Sequence, residues 1–426
     1  MISMRRSSLV KEASTLLSGQ VGAQVITLLA YLLLTRIYTP DDYGLFNIFF
    51  SPVELLIIIS TCKLELAVVA APSDEEAASL SRFTLRLNTF VSLGLLAVVT
   101  LLCLTDALPG SFSALGWLAL IIPPLVFFSG TSRVYSALFN RIRQYKPIAL
   151  SEMVNSITGS LFKIVLGLLG LHNAGMPLGA WLGQTAANVN YRIKIRKQKL
   201  FQQRSASFDI RNYRNYPLFV ASKDFVNTFS SNLPFLMVAL PAVALQMPSA
   251  NHSIGLFALA LTFTFRPANI LNGAFERVLF ARSAELQRAK QPLMPLVKRF
   301  LLGINMVALP ACVAAWFLAE PLFTLFFGSR WEGCGVYVRA LLPWIYLILS
   351  SSPLMYLSNL FSTQRIELRF YLVLLLLRAV ALAAGLHFSG FVLAIQLYAL
   401  VSAAVALALL VWYLMQVRRY DSALCK

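Results

Sequence analysis

Charge is what this sequence has least of. Only 13% of its 426 residues are charged, and the 18 acidic residues are outnumbered by 36 basic ones. Globular domains carry roughly 25% charged residues. With 58% of the chain apolar, a cytosolic enzyme, a secreted domain and a nucleic-acid binder are excluded. Histidine and cysteine are also scarce. His172, His252 and His387 lie far apart, and Cys62, Cys103, Cys312, Cys334 and Cys425 have no metal-ligand spacing. That speaks against a zinc or iron centre, and nothing requires a metal or an organic cofactor. HExxH, a phosphate-binding glycine loop and a Gly-x-Ser-x-Gly elbow are all absent.

What the chain has is long apolar runs from end to end. A bilayer core takes about 20 residues of helix. Twelve runs qualify: 14–36, 43–66, 85–105, 115–140, 148–170, 176–195, 216–242, 253–276, 299–318, 336–361, 370–388 and 391–416. The first continues well past the apolar core of a signal peptide, so it is expected to be a retained span. The fourth is split by Pro123 and Pro124, and the tenth holds Pro343 and Pro353. Leu322 to Phe327 is too short to span and is expected to lie along the membrane surface.

The basic residues alternate between connections. Arg141, Arg143 and Lys146 fall between spans 4 and 5, Arg192 to Lys223 between 6 and 7, and Arg277 to Arg299 between 8 and 9. The other side holds only Arg36, Arg330 and Arg339. The positive-inside rule then puts both termini in the cytoplasm. The net charge of +18 is mostly this orientation signal and an attraction for anionic membrane lipids, with no nucleic acid implied.

The longest polar connection divides the chain into an N-terminal six-helix bundle (1–196), a cytoplasmic linker (197–215) and a C-terminal six-helix bundle (216–426). A shift of 211 residues lays Gly44-Leu45-Phe46 on Gly255-Leu256-Phe257 and Glu65 on Glu276. Halves of equal orientation form a parallel repeat about an axis along the membrane normal. The expected fold is an all-α integral membrane protein of two six-helix bundles related by a pseudo-two-fold.

Ionisable side chains inside spans are costly and mark function. Glu54, Lys163, Arg266 and Arg378 lie well within spans and sum to +2. Excess cation suits a cavity that receives an anionic headgroup, because a guanidinium grips phosphate oxygens with a planar fork. Arg266 precedes Pro267, where the helix should bend and open. Lys163 and Arg378 could instead snorkel to an interface. Glu54 either carries a coupling ion, H+ or Na+, or pairs statically with Lys163 or Arg266. Lys63, Glu65, Glu276 and Arg277 sit at matching ends of spans 2 and 8. They are either gate residues pairing across helices or charges solvated at the boundary. Lys63 and Glu65 are two apart and share no helix face. Asn269 and Asn272 follow Pro267 and cannot be told from packing residues.

Three stretches carry a resemblance. Leu34-Thr-Arg-Ile-Tyr-Thr-Pro-Asp-Asp-Tyr-Gly-Leu-Phe46 resembles the link between spans 1 and 2 of Wzx-type polysaccharide flippases. Lys63-Leu-Glu-Leu-Ala67 with Pro72-Ser-Asp-Glu-Glu-Ala77 is similar to that family's Arg-Tyr-Glu-Leu-Ala and acidic loop. Phe326-Phe-Gly-Ser-Arg-Trp331 matches a stretch before span 10. The chain departs at Lys63-Leu64, which keeps the charge. The resemblance points to the polysaccharide branch of the multidrug/oligosaccharidyl-lipid/polysaccharide exporter superfamily. It implies two bundles in a V and a polyprenyl-diphosphate-linked oligosaccharide, such as an O-antigen repeat unit for lipopolysaccharide, flipped outward across the bacterial inner membrane. A polysaccharide polymerase and chain-length proteins are the implied partners. A multidrug/cation antiporter of the same fold should have a net negative cavity, against the +2 here. A peptidoglycan-precursor flippase is closer. A membrane glycosyltransferase or ligase would need a large extramembrane loop with clustered carboxylates or a histidine base, and a non-transporting scaffold would leave the buried charges unexplained.

Overall fold

The computed structural model describes residues 2–108, 110–196, 198, 209–240, 250–361 and 363–424. Among them there is no strand. The chain divides into two compact units, Met1–His252 and Ser253–Lys426.

The first unit holds α1 (Ile2–Ile37), α2 (Pro40–Thr61), α3 (Leu64–Ala70), α4 (Asp74–Leu104), α5 (Ile122–Arg141), α6 (Tyr145–Leu168), α7 (His172–Ile195) and α8 (Ser222–Val238). The second holds nearly all of α9 (Ala250–Arg288), then α10 (Met294–Phe327), α11 (Cys334–Ser351), α12 (Tyr356–Leu360), α13 (Gln364–Ser389) and α14 (Phe391–Leu424). Short 3-10 turns precede α5 and flank α11, and a single π-helical stretch, Tyr216–Ala221, leads into α8.

Much of the sequence that carries the resemblance starts and stops helices. Thr39 caps α2: its hydroxyl accepts from the Asp42 N–H at 3.2 Å, and the Asp42 carboxylate accepts from the Thr39 N–H at 2.8 Å. Pro40 fills the first turn, where no N–H is needed. Ser73 caps α4 in the same way, accepting from the Glu76 N–H, with Asp74, Glu75 and Glu76 in the positive first turn. Between them α2 breaks at Cys62 and Lys63, both left-handed (φ 49° and 57°), before α3 resumes. Arg141 then closes the far end of α3, donating to the carbonyls of Val68, Val69 and Ala71 while its Nε pairs with Asp74 at 2.9 Å. Tyr213, from the connection before α8, donates to Glu76 at 2.7 Å. Burial, and then that carboxylate, push its phenol up to about 12, so it stays a donor at physiological pH.

Nine helices among the described residues are long and apolar enough to cross a membrane, and Val21–Ile37 is a shorter apolar segment. The protein is thus a multi-pass membrane protein. Three of the twelve expected spans fall outside the nine: 14–36, represented by that shorter segment, 176–195, which is helical, and 216–242, which is described to residue 240 and helical to Val238. α7 interrupts its apolar face with Gln184, Asn188 and Asn190, and α8 is 17 residues long and begins with Lys223 and Asp224. Of the expected linker 197–215, only 198 and 209–215 are described.

One expectation is overturned. Leu322 to Phe327 does not lie along the surface; it continues α10, a helix of 34 residues that runs through Pro310 and Pro321. Phe327 and Phe323 pack on Phe263 of α9, at 4.7 and 6.2 Å between ring centres. Glu320 bridges from α10 to the start of α11, accepting from the N–H groups of Gly333 and Gly335 at 2.5 and 2.8 Å. A carboxylate across the orphan donors of a helix start is favourable. It holds the end of α10 in helical register.

Small residues let α6 and α7 approach closely in the first unit. A Cβ at Gly183 would stand 2.7 Å from the Asn155 carbonyl oxygen and 2.8 Å from the Gly159 Cα. Backbones that close admit no side chain. Gly183→Val is expected to cost about 1–3 kcal/mol, as overpacking does, and to lower the thermal midpoint in detergent. An unchanged midpoint contradicts this packing.

Candidate functional site

In the first unit α2 packs against α4, α5, α7 and α8. Its seam with α8 carries two polar contacts. Within the helix, two residues after Pro52, Glu54 accepts from the Asn232 amide at 2.9 Å; the same amide also donates to the Thr228 carbonyl at 3.0 Å. At the helix end, Lys63 Nζ meets Asp224 Oδ2 at 2.7 Å. Both contacts tie α8 to α2 within the first unit. The Asn232 and Asp224 roles were not legible in the sequence. A lone amide in an apolar run and an acid at a helix start signal nothing until α2 is known to lie beside them.

Among the described residues Glu54 forms no ion pair with Lys163. The Lys163 ammonium sits 5.0 Å from the centre of the Phe46 ring, on α2, a cation–π contact. Its backbone carbonyl accepts from the buried Tyr38 hydroxyl at 2.8 Å. Glu65 is 5% exposed, and its Oε2 has no hydrogen-bond partner. Lys63 and Glu65 therefore diverge, as their spacing requires, and Lys63 alone reaches across to α8.

In the second unit Arg266 is partly buried on α9, immediately before Pro267. The proline lacks an N–H, so one ladder bond is missing at that level, while α9 continues through it. Asn269 is exposed one turn later, Glu276 is partly buried, and the Arg277 side chain lies outside the described residues. Arg378 on α13 is 1% exposed. Its Nε donates to the Ser402 hydroxyl of α14 at 2.8 Å, and its guanidinium lies 4.7 Å from the Trp344 ring and 4.5 Å from the Tyr398 ring. That arginine does not snorkel. It faces the bundle interior, with its charge engaged by two aromatic faces and a hydroxyl. Phe265 of α9 closes the same cluster, 4.3 Å from Trp344.

The spans thus hold one carboxylate with an amide partner, one lysine on an aromatic ring, one arginine enclosed by rings and one arginine next to a proline. No group of three or more His, Cys, Asp or Glu suited to a metal occurs among the described residues.

Known proteins share this fold. The inward-facing conformation of a multidrug resistance MATE family transporter of the MOP superfamily superposes with a TM-score of 0.69 at 16% identity, over 94% of this chain and 96% of that one. The lipid II flippase MurJ, in an inward closed conformation, gives a TM-score of 0.69 at 13% identity, over 96% and 90%. At such identities the likeness shows the fold, that of the MOP superfamily. In sequence, the succinoglycan biosynthesis transport protein ExoT of Rhizobium meliloti (strain 1021) is 22% identical over 316 residues, 74% of this chain. The chain spans about 61% of the length of that curated relative. These relatives are transport proteins and flippases rather than enzymes. Residues 33–336 match the family described as polysaccharide biosynthesis protein, a stretch that runs from the end of α1 into α11, so the chain belongs to the polysaccharide biosynthesis protein family.

Proposed function

We propose that this protein is a flippase for a polyprenyl-diphosphate-linked oligosaccharide, moving it from the cytoplasmic to the outer leaflet of the inner membrane by alternating access. The observation that carries the reading is Arg266, a partly accessible arginine inside an apolar helix, next to Pro267. Moving a diphosphate and many hydroxyls through hydrocarbon is the physical difficulty. A cation in a low-dielectric cavity offsets much of it, and a guanidinium matches phosphate oxygens in two-pronged geometry. Within the first unit, Lys163 is a further candidate cation, held beside Phe46. Arg378, enclosed by Trp344 and Tyr398, holds α13 to α11 and α14.

Glu54 is the coupling group, taking H+ or Na+ on the α2–α8 seam, with Asn232 orienting its carboxylate. Lys63 and Asp224 gate the cytoplasmic end of that seam, together with Glu65; Glu276 and Arg277 do so on α9. Both termini face the cytoplasm, and a polysaccharide polymerase and chain-length proteins receive the product.

The gate carries its own prediction. A partly exposed pair is worth about 1 kcal/mol at most, so Lys63→Glu is expected to slow flipping roughly fivefold. The double variant Lys63→Glu with Asp224→Lys should recover most of that rate. A single reversal that transports normally removes the gate.

The whole reading is tested by binding. Native mass spectrometry of the purified protein should retain polyprenyl-diphosphate glycan in preference to polyprenyl monophosphate and to a lipophilic cation. Retention of the cation alone would favour a drug antiporter on this fold.

A further inference from the structure

Four asparagines are buried among the described residues: Asn88, Asn188, Asn232 and Asn272. Three reach across to a neighbouring helix. Asn88 donates to the Phe127 carbonyl, Asn188 to the Phe128 carbonyl and Asn232 to Glu54. Asn272 differs. It is 5% exposed, and neither its Nδ2 nor its Oδ1 has a protein partner. The chain elsewhere satisfies the donor of such an amide, and leaving one bare in an apolar span is unfavourable. A residue kept at that cost is a candidate for binding.

Its position says what it would bind. Arg266, Asn269 and Asn272 follow one another at three-residue spacing on α9, so they climb the helix in steps of about 4.5 Å. The first is next to Pro267, the second is exposed, and the third is buried. α9 and α11 run side by side in the same direction, in a register fixed by Phe265 on Trp344 and by Phe280 on Tyr356 just beyond α11, at 4.3 and 5.9 Å. Seven residues beyond Phe265, Asn272 comes level with Ser350 and Ser351, themselves buried at 2% and 3%. Amides and hydroxyls both donate and accept, which is the pattern that sugar hydroxyls present. A phosphate would call for donors only, and a lipophilic cation for carboxylates or aromatic faces.

We infer that Asn269 and Asn272 form a subsite that reads the hydroxyls of the sugar next to the diphosphate, one and two steps along α9 from Arg266. The inference rests on the flippase reading and deepens it. Asn272 is covered in this conformation, so the sugar engages it as α9 shifts at Pro267 during the cycle.

The test uses the full-length protein in proteoliposomes and two lipids, a polyprenyl-diphosphate glycan and bare polyprenyl diphosphate. Wild type is expected to move the glycan lipid roughly tenfold faster, a factor that one or two hydrogen bonds supply. Asn272→Leu exchanges a bare amide for an apolar side chain of similar size. It should keep or raise the thermal midpoint, bring the glycan lipid down to the bare-lipid rate and leave the bare lipid unchanged. Asn269→Ala, at an exposed position that cannot disturb the core, should act in the same direction. Equal slowing of both lipids by either variant would make these amides packing or track residues and overturn the subsite. Discrimination surviving in both variants would overturn it too. Wild type that moves neither lipid overturns the flippase reading itself and the subsite with it.

Discussion

Arg266→Ala is expected to reduce flipping of a polyprenyl-diphosphate glycan roughly 30-fold, because a hydrogen-bonded charge on phosphate contributes about 2 kcal/mol. Arg266 lies inside an apolar helix at the residue before Pro267. An alanine there leaves Pro267 in place, so the helix keeps its shape while the cation is lost. Arg266→Lys should recover part of the rate, since an ammonium keeps the charge and loses the planar fork. The initial rate of glycan exposure in proteoliposomes reads both. If Arg266→Ala flips at the wild-type rate, the anionic headgroup is not held on α9.

The second large effect belongs to Glu54. One charge moved through 100 mV is worth about 2.3 kcal/mol, so a coupled transporter can gain up to ~50-fold from the gradient. Glu54→Gln should gain nothing. Glutamine can still accept from Asn232 through its carbonyl, so the seam between α2 and α8 stays closed by the contact seen at 2.9 Å. It can neither take up nor release a proton, and it is a poor sodium ligand. The expected result is a basal rate near wild type and identical rates with and without the gradient. Full stimulation in Glu54→Gln would move coupling to another group. The proposed role asks for a carboxylate that is oriented and not neutralised, and an amide donor such as Asn232 can do that.

Helical spans were the most legible feature of the sequence, since twenty apolar residues in a row have few other solutions. Motif function was less so. Thr39, Asp42 and Ser73 look like family signatures and turn out to be capping devices, while Glu76 accepts from Tyr213. The continuation of α10 past Pro321 was missed because the proline and the short apolar run suggested a break, whereas Glu320 anchors the end of that helix to backbone 13 and 15 residues on. The position of Glu54 and Arg378 inside long apolar helices could be read from the chain. Their partners could not: Asn232 is 178 residues from Glu54, and the ring cage around Arg378 draws on α11 and α14. Charge position is a local property of a sequence, and charge compensation is a tertiary one.

The central claim is transport of an anionic lipid-linked glycan. The measurement that tests it most directly is transbilayer movement of a polyprenyl-diphosphate oligosaccharide in proteoliposomes, followed by its accessibility to an impermeant sugar-modifying enzyme, with and without a proton or sodium gradient. The account predicts protein-dependent movement above empty vesicles, accelerated by one of the two gradients. Vesicles that show no movement of the glycan lipid under either gradient, while the same protein drives accumulation of a lipophilic cation, would contradict it.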